Sequence, residues 1–214
     1  MNEETQIVIE NQKHYSLKSF FLNNKKISIF IILLSLITLF SYFFYNDYKK
    51  SKKIEISDQF NLAIINYSKE NPDFSITEMK KIINIKETTY SPLALYFLLD
   101  NNLITNKNEI NEYFDILINE VHLDNEIKNL IIYKKGLYNS DTANEQDLLK
   151  ILNPLINSEN LWKSHALLIL AEYFYSKDEK QKSKEFYEKI LTLENSNSQI
   201  RFEAQKRLQR DFSV

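Results

Sequence analysis

The stretch from Asn23 to Lys53, NNKKISIFIILLSLITLFSYFFYNDYKKSKK, most constrains what this chain can become. No charged residue occurs between Ile27 and Asn46, and lysines bracket the run at Lys25, Lys26, Lys49, Lys50, Lys52 and Lys53. A helix rises about 1.5 Å per residue, so about twenty such residues cross the roughly 30 Å hydrocarbon core of a bilayer. The polar members of the run, Ser28, Ser35, Thr38 and Ser41, are hydroxyls that can bond back to helix carbonyls. Tyr42, Tyr45 and Tyr48 gather at one end, where rings with a polar tip favour the membrane interface. A cleaved leader would have a shorter apolar run ending in small residues, whereas this one ends in the bulky FSYFFYNDYKK.

The expected organisation is a tail over 1–26, a transmembrane helix over 27–46, a juxtamembrane segment over 47–56 and a helical domain over 57–214. Orientation cannot be read from charge. Lys13, Lys18, Lys25 and Lys26 before the span balance Lys49, Lys50, Lys52 and Lys53 after it, so the positive-inside rule is silent.

The remainder, residues 54–214, is long enough to bury a core. It carries 19 Lys plus Arg against 25 Asp plus Glu, and this acidic balance argues against a nucleic-acid partner, which needs a basic face. There is no cysteine, hence no disulfide framework or thiol chemistry. Gly136 is the only glycine, and hairpin turns, dinucleotide loops and phosphate loops all rest on glycine. Helices joined by Asn-rich turns remain.

The apolar spacing agrees. Phe60, Ala63, Ile64 and Tyr67 form the stripe of an amphipathic helix that continues from the span. Ser75 with Glu78, and Thr142 with Glu145, read as capping boxes. Pro92 suits a first helical turn, and Pro154 predicts a helix end or kink near Leu152 or Asn153. Further stripes run through Ile110, Phe114 and Leu117, then Ile127, Leu130 and Ile131, and three more helices follow Asn160. About nine helices after the anchor and no strand make the fold class all-α. A string of short helices with brief turns is the mark of an α-hairpin array.

Leu167, Leu170, Ala171 and Phe174, followed by Ser183, Tyr187 and Ile190, have the spacing of a tetratricopeptide repeat. The small residue on the first helix lets the second approach, and the aromatic on the second fills the groove between them. INEYFDILIN aligns without gaps on SKEFYEKILT, superposing Ile110 on Ser183, Phe114 on Tyr187 and Leu117 on Ile190. Ile190 stands where a small residue is usual, and Asn195 where proline usually ends the second helix. The expected domain is a tetratricopeptide-like α-hairpin solenoid.

This layout resembles the YfgM-like, membrane-anchored tetratricopeptide proteins of the proteobacterial envelope. Asp147 to Leu191, DLLKILNPLINSENLWKSHALLILAEYFYSKDEKQKSKEFYEKIL, looks like the proline-ended helix, tryptophan-basic turn and final repeat of alphaproteobacterial members. Tyr90 to Leu99, YSPLALYFLL, looks like their early, small-residue-rich first helix. Glycine is scarcer here, and Lys, Asn and Ile commoner, than in such relatives. The resemblance implies a bacterial inner-membrane protein with its tail in the cytoplasm and its repeat domain in the periplasm. It also implies partners: subunits of the Sec translocon, to which such proteins are ancillary, and a membrane-anchored periplasmic chaperone of the prolyl-isomerase type.

Nothing in the residue pattern suggests catalysis, a cofactor, a metal or a small-molecule substrate. His14, His122 and His165 have no second histidine at helical spacing, the carboxylates sit where a solvated helix face puts them, and no glycine-flanked serine elbow exists. The expected function is a non-catalytic scaffold that binds protein partners at the translocon and assists export or folding of envelope proteins. The alternative is an anchored adaptor in envelope assembly or stress signalling without translocon contact. Trp162, Tyr173, Tyr175 and Phe186 are the candidate partner-binding aromatics, beyond those a repeat core consumes.

Overall fold

The computed structural model describes residues 25–212, so the tail lies outside the described residues except for Lys25 and Lys26. Among the described residues there are nine α-helices and no strand: α1 (Lys25–Ile65), α2 (Asp73–Ile85), α3 (Tyr90–Asp100), α4 (Lys107–Asn119), α5 (Asn125–Asn139), α6 (Glu145–Ile156), α7 (Lys163–Ser176), α8 (Lys180–Thr192) and α9 (Ser198–Asp211). The chain divides into two compact units at Glu55/Ile56.

In the first unit, α1 is the one described helix long and apolar enough to cross a membrane, with a mean hydropathy of 2.5 over its most apolar window. Only 6% of that window is buried, unlike the core helix of a soluble protein. Thr38 Oγ1 donates to the Ser35 carbonyl at 2.8 Å, so this hydroxyl is satisfied within the helix, as apolar surroundings require.

In the second unit, each helix packs on those one or two places along the chain, and the core forms three successive clusters. The first joins Ile56, Phe60 and Ala63 of α1 to α2, α3, α4 and Ile131 of α5. The second begins at the neighbouring Ile132 and continues through Leu148, Leu152 and Leu155 of α6 into α7. The third joins Leu167 and Ala171 of α7 to Tyr187 and Ile190 of α8 and Ala204 of α9. Adjacent residues on one helix thus feed two cores, which is how α5 serves as a shared wall.

Five expectations change. The span and the Phe60 stripe lie on one helix, so among the described residues eight helices follow α1 where about nine are expected after the anchor. Ile64 is 41% exposed; the buried stripe of α1 is Ile56, Phe60 and Ala63, because four-residue and three-residue steps keep those on one side. Tyr67 lies past the helix end and sets its ring edge-on to Phe97, 5.3 Å between centroids. Ser75 does not cap α2, which starts at Asp73 after an uncapped Pro72. Its hydroxyl is buried and donates to the Ala63 carbonyl at 2.7 Å. Asn66 and Tyr67 donate to Leu62 and Ile64, so the α1 end leaves that carbonyl without a helical partner and Ser75 supplies one.

Thr142 does not cap α6 either. The helix starts at Glu145, and Asn144 accepts from the Asp147 amide at 2.9 Å while its own side-chain amide donates to the Asp147 carboxylate at 2.8 Å. The cap is thus Asn144, two residues downstream of Thr142, with a side-chain pair to Asp147 in place of the reciprocal backbone bond of a capping box. Finally, Pro154 neither ends nor breaks α6, which runs on to Ile156. Leu155 is fully buried, a gain of about 1.5–3 kcal/mol that offsets much of the roughly 3 kcal/mol an interior proline costs through its missing donor and ring clash. Pro92 does lie in the first turn of α3.

With a single glycine, the chain turns its tightest corners on other residues. Lys86, Asn102 and Asp178 have φ of 61°, 54° and 60°. Gly136 instead marks a close approach: a Cβ there would overlap Leu152 Cδ2 and lie 3.0 Å from its Cγ, so α5 passes α6 with no room for a methyl group.

Candidate functional site

The aromatics expected to face a partner are already occupied. Trp162, at the N-cap of α7, stacks on Tyr133 at 5.2 Å and 22°, with His165 at 5.3 Å completing a three-ring cluster. Tyr173 is 6% exposed and its hydroxyl donates to the Ala143 carbonyl at 3.3 Å, so it is a core residue and not an exposed one. Phe186 is half-buried and lies flat on Phe174, 5.4 Å apart and 3° from parallel. Tyr175 sets its edge against Phe212, 6.0 Å between centroids. Each ring covers a neighbouring helix.

All ten repeat-signature residues are buried: Leu167, Leu170, Ala171, Phe174, Ser183, Tyr187, Ile190, Ile110, Phe114 and Leu117. Ser183 Oγ donates to the Ala171 carbonyl at 2.8 Å, the same arrangement as Ser75 on Ala63. The two hairpins share a register: Ala63, Ser75, Met79 and Ile82 repeat as Ala171, Ser183, Tyr187 and Ile190. That alanine-to-serine spacing of twelve, followed by large apolar residues four and seven on, was available in the sequence.

Next to this hairpin, Tyr187 donates its hydroxyl to Glu172 at 2.7 Å, and Arg207 of α9 reaches the same carboxylate at 2.9 Å. Burial and, after it, the Glu172 carboxylate push the Tyr187 hydroxyl well above its ordinary range, so it stays a donor.

Among the described residues, two of the surface grooves lie between helices in the middle of the domain. One, about 590 Å³, lies between α4, α5 and α6 and is mostly polar. Its floor is a pair of asparagines that bond each other in both directions, Asn139 to Asn111 at 2.8 Å and Asn111 to Asn139 at 3.2 Å. Each also donates to the carbonyl of the lysine one turn earlier, Lys107 and Lys135, so both hydrogens of each amide are used. The pair is a closed clasp between α4 and α5, signalled in the sequence by lysine-to-asparagine steps of four on both helices. The other groove, about 570 Å³, is apolar and runs between α3 and α5 past Leu93, Tyr96 and Ile127. Burial pushes the Tyr96 hydroxyl up to about 12, with Asp100 adding to the shift.

His165, beside Trp162, is held below its ordinary range by burial, against a smaller opposing influence from the Leu161 backbone. His122 sits in the turn between α4 and α5. Among the described residues no group of three or more His, Asp or Glu side chains is placed to hold a metal ion. Comparison of the chain with protein-family models, with curated proteins and with solved structures found no match.

Proposed function

We propose that this chain is a non-catalytic, membrane-anchored scaffold whose tetratricopeptide-like helical domain holds protein partners. The observation that carries the reading is the repeated hairpin register. Ser75 on Ala63 and Ser183 on Ala171 make the same small-residue approach, and each helix packs on its near neighbours alone, as a stack of helix pairs does. The exposed apolar length of α1 supports the anchor.

The resemblance to YfgM-like proteins supplies the cellular setting: inner membrane, helical domain in the periplasm, and partners at the Sec translocon, with a periplasmic chaperone among them. An anchor keeps a weakly binding domain near its partner, so modest contacts suffice through effective concentration. The partner surface is then a groove between helices, with the buried aromatics giving it rigidity.

The experiment is a crosslinking pull-down. The chain is tagged at its C-terminus, crosslinked in intact cells, extracted in mild detergent, and its partners are identified by mass spectrometry. Enrichment of translocon subunits and a periplasmic chaperone is the expected result. Their absence, with other envelope proteins recovered instead, would move the function to an adaptor in envelope assembly or stress signalling.

A further inference from the structure

Helix α1 runs without a break from Lys25 to Ile65. Its uncharged run ends at Asn46, and Lys49, Lys50, Lys52 and Lys53 follow within seven residues. A rise of about 1.5 Å per residue puts them about 4 to 11 Å past the end of that run, the depth of a headgroup layer. All four lysines are exposed, and so are Tyr42, Tyr45 and Tyr48.

At 100° per residue, Tyr42, Tyr45, Lys49 and Lys53 share an arc of about 80°, with Lys50 and Lys52 on its flanks. Lys49 Nζ stands 6.0 Å from the Tyr45 ring centre. Two acidic residues, Asp47 and Glu55, lie in the same stretch, and Glu55 pairs with Lys52 at 2.8 Å, so the collar keeps a net positive charge. The other end of the run has Lys25 and Lys26 among the described residues, and no tyrosine beside them.

We propose that the Lys49–Lys53 collar binds anionic phospholipids, selecting them in the leaflet next to the C-terminal end of the span. This rests on the membrane-anchor reading. A zwitterionic lipid offers the collar a phosphate already neutralised by its own ammonium, whereas an anionic headgroup offers uncompensated charge. The tyrosines hold the helix at the depth where those charges meet. The helix itself fixes this placement, because no loop separates the lysines from the apolar run.

The test uses the full chain in vesicles of phosphatidylcholine containing a minority of phosphatidylglycerol. Flotation in vesicles of phosphatidylcholine alone comes first. The chain is then released into mild detergent, and the lipids it retains are counted by native mass spectrometry. Retained phosphatidylglycerol should exceed its vesicle proportion by about two-fold or more at low salt, and the excess should shrink as salt rises. Combined Lys49→Gln, Lys50→Gln, Lys52→Gln and Lys53→Gln should abolish the excess, while Lys25→Gln with Lys26→Gln should leave most of it. Retention in the vesicle proportion, or an excess that survives the fourfold change, overturns the proposal and leaves the anchor standing. Failure to float overturns both.

Discussion

Replacing Gly136 by alanine should destabilise the helical domain, although alanine is the better helix former. Gly136 lies in the last turn of α5, where alanine would gain up to about 1 kcal/mol of helix propensity. The added methyl group has to occupy the space that Leu152 Cδ2 fills, with Leu152 Cγ only 3.0 Å away. Leu152 is fully buried, so shifting its side chain disturbs the core packed around it, and overpacking of this kind costs about 1–3 kcal/mol. The net is a loss of up to about 2 kcal/mol.

A second change isolates the contact. Leu152→Ala alone opens a cavity and should cost about 2–5 kcal/mol. In that background the obstruction is gone, and Gly136→Ala should now stabilise by about 0.5–1 kcal/mol. The sign of the glycine substitution therefore reverses. Urea unfolding of the full chain in detergent, followed by fluorescence of the single tryptophan, Trp162, reads all four proteins, since that ring stacks on Tyr133 of α5. If Gly136→Ala raises the midpoint in the otherwise unchanged chain, or if the two changes add without coupling, the close approach does not set the stability of this contact.

The remaining predictions concern single groups. Ser75→Ala should cost about 1–3 kcal/mol and Ser183→Ala about 1, measured in the same unfolding assay, because Ser75 serves a carbonyl left over at a helix end while Ala171 lies within α7. His165, depressed by burial, should be neutral at pH 7, and its protonation should change Trp162 fluorescence with a midpoint below 6.5. Because the folded state binds that proton less readily, its contribution to stability is complete above pH 6.5 and lost as pH falls further; His165→Gln should remove the fluorescence step. Glu109 is held low chiefly by the Lys80 ammonium, with Tyr113 assisting. Its contribution should be present above pH 4.5 and lost below, so the acid limb of an unfolding-versus-pH curve should flatten in Glu109→Gln.

Helix content and position were legible from apolar spacing, because a helix that buries one face must repeat with the helical period. Capping was less so. Ser75 and Thr142 have the right neighbours for capping boxes, but a serine hydroxyl also fits where two helices approach closely, and local sequence does not separate these uses. Pro154 misled because the rule for an isolated helix omits Leu155, whose burial holds the last turn together. Tyr173 is buried for a related reason, while Trp162, Tyr175 and Phe186 are partly covered. Spacing identifies what one hairpin core consumes, whereas Trp162, Tyr173, Tyr175 and Phe186 are covered by α5, the α5–α6 turn, α9 and α7, partners that spacing within the hairpin does not register. The Asn111–Asn139 clasp joins positions twenty-eight residues apart and required the packing of α4 on α5 to be known.

The corners at Lys86, Asn102 and Asp178 show what a protein alphabet almost without glycine demands of a fold. Asparagine and aspartate enter left-handed backbone cheaply, since their short side chains bond locally, and even lysine does so at a cost of about 1–2 kcal/mol. Turning, in other words, can be delegated to other letters. Room for a neighbour's side chain directly against the backbone cannot, because every other residue brings a Cβ. The one glycine present sits at such a contact, at negative φ, inside a helix that its own flexibility weakens. In a chain this rich in lysine, asparagine and isoleucine, a lone glycine is a marker of crowding, and it can be read as such before any coordinates are known.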